Sequence, residues 1–175
     1  MANQDHLDIL NQGVETWNQW RAEHPDIHPE LWQTNLNKFY LRGVNFSKVN
    51  LVQTELIGAE LSEAGLVETM LVGADLSGAN LAGANLSRAN LGYANLSHAN
   101  LTGAYLGEAI FVGTNFSHAT LTECHVHGVS IWNAQLEGAK QENLIITRHD
   151  EPAITVDNIE IGVCPQLEQK VGIGK

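Results

Sequence analysis

Large apolar residues recur along this chain at every fifth position. The series starts at Leu36, Leu41, Phe46, Leu51 and Leu56, runs through Leu76, Leu91, Phe111, Phe116 and Leu121, and ends at Val126, Ile131 and Leu136. Steps of five from residue 36 to residue 136 make 21 consecutive repeats without insertion or slip, and Leu31 is a candidate twenty-second. Two residues before most of these centres stands a small residue, as at Ala74, Ala79, Ala84, Ala89, Ala94, Ala99, Ala104 and Ala109, then Thr114, Ala119 and Cys124. A period of five fits neither a helix at 3.6 residues nor a strand at 2, and it is not a heptad. It needs a backbone that turns sharply every five residues and sends one large and one small side chain inward each time. The Gly, Asn and Ser between centres are turn residues.

The stretch GADLSGANLAGANLSRANLGYANLSHANLTGAYL, residues 73 to 106, resembles the A-(D/N)-L-X-X motif of the pentapeptide-repeat proteins, a bacterial family abundant in cyanobacteria. Residues 31–140 match it in register. The resemblance implies an all-β solenoid, a right-handed quadrilateral β-helix of about five coils with the centre and the small residue inside. At ~4.8 Å per coil the rod is roughly 25 Å long. Each coil buries four Leu-type side chains, each contributing ~1.5–3 kcal/mol.

Four repeats per coil stack residues 20 apart, so the sequence reads as four faces. One column is Lys48, Glu68, Arg88 and Glu108, an alternating charge ladder. Such exposed pairs contribute a few tenths of a kcal/mol each. A second column stacks His98 on His118 beside Ser97 and Ser117. His125 and His127 flank Val126 and point outward, whereas Cys124 occupies an inward position. Zinc needs about four convergent ligands, so no metal site is expected. Asn80, Asn85, Asn90, Asn95 and Asn100 precede the centres, where Asn bonds its own backbone in turns or forms stacked ladders.

The face centred on Leu51, Leu71, Leu91, Phe111 and Ile131 differs. Its outward residues include Val52, Met70, Val72, Tyr93, Ile110, Val112 and Trp132, where the other faces carry mostly Asn, Ser, Thr, Gly and charge. A contiguous apolar patch marks an interface. Two readings stand open here: a protein partner or second copy docks on this face, or a terminal segment of the chain folds back over it.

Both ends of a stacked solenoid must be covered. Residues 1–30 form a predicted N-terminal helical cap: over 5–23, Leu7, Leu10, Val14 and Trp17 recur at helical spacing, and Pro25 ends the run. Trp20 and Trp32 add aromatic surface. After Gly138-Ala139 the repeat register is lost, leaving residues 141–175 as a non-repeat tail or cap with two β-like runs around Glu151-Pro152. The segment GAKQENLIITRHDEPAITVDN also resembles the connector that follows the repeats in larger cyanobacterial proteins bearing an effector domain. On that likeness the chain, ending at KVGIGK, is a shortened relative that keeps the binding module.

The formal net charge is −11, unevenly spread: −5 over residues 1–30, −3 over 31–140 and −3 over 141–175. That balance argues against a nucleic-acid partner, which selects for basic patches. An acidic helix argues against a membrane surface. No stretch reads as an export signal or a span, so the expected location is cytoplasmic, where Cys124 and Cys164 stay free thiols. No phosphate loop or nucleophile elbow occurs. A filled convex rod offers no cleft, so neither catalysis nor a cofactor is expected. Some family members are gyrase-binding DNA mimics associated with quinolone resistance. That role calls for an acidic stripe, and the alternating ladder is not one. The leading expectation is a structural or protein-interaction module.

Overall fold

The computed structural model describes residues 2–148 and 151–160. Backbone bridges join residues 20 apart, all of them parallel: Glu30 to Asn50, Asn50 to Met70, Met70 to Asn90 and Asn90 to Ile110 on one side, with matching series on the other three. Four five-residue sides therefore close one coil, and the coils stack as a parallel β-helix. Each side is short because each repeat spends its remaining residues turning.

The hydrogen bonds repeat with the sequence. The N–H of a centre donates one coil forward, as Leu51 does to Met70 O at 2.8 Å, and the N–H before it donates one coil back, as Met70 does to Val49 O at 3.1 Å. The corner is closed when the small residue donates back to the centre, as Ala74 does to Leu71 O at 3.0 Å. Two residues after the centre the backbone turns left-handed. Gly takes that position at Gly78 and Gly103, but Lys48, Glu68, Tyr93 and His98 take it too, with φ near 60°. The core holds the inward rows, with Leu36 through Leu121 and the alanines from Ala59 to Ala119 essentially inaccessible. At Thr54, Thr69 and Thr114 a Thr replaces the small residue, and its buried hydroxyl donates one coil back, as Thr69 does to Phe46 O at 2.7 Å and Thr114 to Leu91 O at 2.8 Å. Cys124 does the same to Leu101 O at 3.0 Å, and burial pushes its thiol up to about 12.

The Asn row makes the turn bond throughout and the inter-coil bond where the coil behind offers a side-chain oxygen, at Asn80, Asn95 and Asn100. Its side-chain oxygen accepts from the N–H two residues on, as in Asn95 to Ser97 at 3.1 Å. Its amide donates to the neighbouring coil, as in Asn95 to Asp75 at 3.1 Å and Asn100 to Asn80 at 3.1 Å.

The N-terminal cap consists of two helices, α1 (Gln4–Leu10) and α2 (Val14–Glu23), where the apolar spacing predicts one over 5–23. The break is Asn11-Gln12-Gly13. Gly13 adopts φ 110°, open to glycine and strained for other residues, and this bend lets both helices pack on the first coil. Three α2 side chains stand where an earlier coil's backbone would be. Asn45 N–H donates to Asn18 Oδ1 at 2.7 Å, Trp17 Nε1 donates to Asn45 O at 2.8 Å, and Arg21 Nη2 donates to Ser47 O at 3.0 Å. Trp17 is fully buried, edge-on to Phe46 at 5.6 Å.

At the other end the coil continues past Lys140, beyond the point where the sequence pattern fades. Thr120 bridges Lys140 and His125 bridges Ile145. Backbone pairing needs neither Leu nor Ala at the centre, so it outlasts the motif. Leu144 fills a position that is small in earlier coils and is fully buried. The chain then doubles back: β3 (Leu144–Ile145) pairs antiparallel with β4 (Thr155–Val156), and Ile159 is buried with its N–H donating to Gln141 Oε1. Residues 161–175 of the tail, Cys164 among them, lie outside the described residues.

Candidate functional site

The side centred on Leu51, Leu71, Leu91, Phe111 and Ile131 carries every residue singled out for contact. It also holds two longer strands, β1 (Ile110–Val112) and β2 (Ser130–Trp132), paired in parallel with Val112 opposite Trp132. Val52, Val72 and Val112 occupy one outward column and are half-buried, and Trp132 ends that column 77% exposed. Met70 and Ile110 share the adjacent column and are exposed. Gly92 interrupts the Val column, and there Tyr93 takes over, 71% exposed. Its ring lies across Gly113 one coil on: a Cβ built at Gly113 would stand 2.7 Å from the ring. A backbone without Cβ is thus the seat of the most prominent side chain in the middle of the face.

Exposed apolar side chains are not confined to this side. Tyr40, Ile57 and Tyr105 project from the other three, and Tyr105 stacks on His125 at 4.5 Å. These were legible as outward positions beside Leu41, Leu56 and Leu106, but each stands in a polar column, so none extends into a patch. Described residues 151–160 pack against the end of the last coil and leave Trp132 and Tyr93 uncovered.

The other marked groups lie where the 20-residue register puts them. His98 stacks on His118 at 5.0 Å, and His118 covers Gly138. Lys48 and Arg88 flank Glu68 at 4.0 and 3.5 Å, while Glu108 lies 3.9 Å from His127. Cys124 points into the core, away from His125 and His127. Among the described residues no group of three or more His, Cys, Asp or Glu side chains converges as a metal site would require. No described helix is long and apolar enough to cross a membrane.

The family model for pentapeptide repeats matches in eight copies, over residues 30–62, 69–106, 89–128 and 99–140, together more than half of the chain. Among solved structures, a pentapeptide repeat protein from the thylakoid lumen of Arabidopsis thaliana is 37% identical with a TM-score of 0.53, over 54% of this chain and 66% of that one. The pentapeptide repeat protein Rfr23 of the cyanobacterium Cyanothece 51142 is 36% identical with a TM-score of 0.37, over 63% of this chain and 67% of that one. About a third of each relative therefore lies outside the match. QnrB1, a plasmid-mediated fluoroquinolone resistance protein, is 17% identical with a TM-score of 0.32 over 61% of this chain, too distant to inform function. No curated protein matches. The five-residue period, the 20-residue coil, the family model and the Arabidopsis structure agree: the chain belongs to the pentapeptide-repeat family and its fold is a right-handed β-helix.

Proposed function

We propose that this protein is a docking module, a rigid non-catalytic rod that binds a protein partner or a second copy of itself through one side. The contact surface is Val52, Met70, Val72, Tyr93, Ile110, Val112 and Trp132. The observation that carries this reading is the pairing of two prominent aromatics, Tyr93 and Trp132, with a half-buried valine column on a single side of the rod. Aromatic anchors over a desolvated apolar strip are the composition of interface hot spots. Each coil is braced by its neighbours, so the strip is held in the geometry a partner would meet, which lowers the ordering cost of association.

The test combines light scattering with a pull-down from native lysate, using Val72→Lys and Trp132→Lys. Both side chains project outward, so the expected outcome is loss of the dimer or of the recovered partner with the melting temperature kept. Unchanged oligomeric state and unchanged recovery overturn the proposal. A fall in stability alone assigns the strip to contact within the chain.

A further inference from the structure

We propose that the N-terminal cap is a pH-sensitive latch: protonation of His6 at Nδ1 removes the acceptor used by the Glu30 N–H and releases α1 from the first coil.

Inside the rod, the N–H preceding a centre always donates to a carbonyl one coil back, as Asn50 does to Pro29 O at 2.9 Å. Glu30 precedes the first centre, Leu31, and no coil lies behind it. Its N–H donates instead to His6 Nδ1 at 3.0 Å. Its carbonyl accepts from Asn3 N–H at 2.9 Å. A titratable ring on α1 therefore does the work of an absent backbone carbonyl, and it can do so only while Nδ1 is unprotonated. The ring is buried, 5.3 Å from Trp20.

The groups facing it come from all three packed elements. Asp5 of α1 and Glu30 of the first rung favour the charged ring, whereas Arg21 of α2 opposes it. Arg21 is itself buried, its guanidinium donating to the carbonyls of Ile27 and Ser47. His24 of the same helix end stacks on Trp20 at 5.1 Å. Desolvation is the largest influence on His6, and it holds the ring below the ordinary imidazole value. The folded cap thus prefers neutral His6. Its contribution is fully present above about pH 6.5 and declines as pH falls below that value, until the ring's own lowered pKa is passed. A charged ring then costs the cap the Glu30 bond and places a second cation beside Arg21.

Hydrogen exchange of the full chain from pH 7.5 to 4.5, corrected for intrinsic rates, reads the latch directly. Protection of residues 4–10 and of the Glu30 amide is expected to fall by up to tenfold for each pH unit below about 6.5, while residues 71–121 hold. His6→Asn supplies an acceptor near the Nδ1 position without a titrating proton, and its cap protection is expected to be flat over the same range. Constant protection in the parent chain, or an unaltered pH dependence in His6→Asn, overturns the proposal. If His6→Asn opens the cap at every pH, Asp5→Asn decides. Losing that attraction lowers the folded ring's pKa further, so the loss of protection still begins near about pH 6.5 but continues to lower pH and becomes larger in total; a loss that ends at the same or a higher pH overturns the latch.

Discussion

Tyr93 and Gly113 show how much a single position carries in a fold this regular. Gly103 and Gly113 share φ +67°, but a Cβ at Gly103 meets nothing within 4 Å, whereas at Gly113 it meets the Tyr93 ring. Gly103→Ala is expected to cost about 1–2 kcal/mol, the penalty of a left-handed alanine. Gly113→Ala is expected to cost about 1 kcal/mol more, since the ring must move off its seat. In a Tyr93→Ala background the two substitutions become equal, and urea unfolding of the four variants measures the difference. The position of Tyr93 on an outward corner was legible in the sequence, as was that of Trp132. Its resting place was not: counting puts Gly113 one coil beyond Tyr93, but the period does not say which way the ring leans. His118 over Gly138 and His127 over Gly107 repeat the same device.

At the scale of elements, α2 matters for what its side chains replace. Asn18, Trp17 and Arg21 meet the three backbone groups of Asn45 and Ser47 that face away from the next coil. Trp17→Phe keeps an aromatic ring in place but removes the donor to Asn45 O. The expected cost is about 1 kcal/mol for the lost part-buried hydrogen bond, with faster amide exchange at residues 43–48 and none at residues 81–121. A helix in this region was visible from Leu7, Leu10, Val14 and Trp17. Its division in two was signalled only by Asn11-Gln12-Gly13, which a run of correctly spaced apolar residues outweighed. The polar members of the cap gave no signal at all: Asn18, Arg21 and His6 read as solvated helix surface until the coil edge is set against them.

For the whole molecule, stability is close to a sum over neighbouring coils, so the cost of a core change depends on where its coil stands. Leu86 lies in the middle of the stack and is fully buried, whereas Leu136 in the last coil is half-buried. Leu86→Ala is expected to cost about 3–5 kcal/mol, within the range of buried leucine truncations. Leu136→Ala is expected to cost less than half of that. Circular dichroism in urea reads both, and equal losses would show that the last coil is as closed as the middle ones. The five-residue period alone determined the inward rows, the outward columns and hence the apolar side, because a repeat without slips lets every residue be assigned a coil and a corner by counting. The tertiary structure alone decided how the ends are sealed: which side chains of α1 and α2 stand in for a missing coil, and how far pairing runs past Lys140. Those contacts join a non-repeating segment to the rod, and no period relates the two. The same holds for His6, whose Nδ1 does the work of a backbone carbonyl only because Glu30 has no coil behind it.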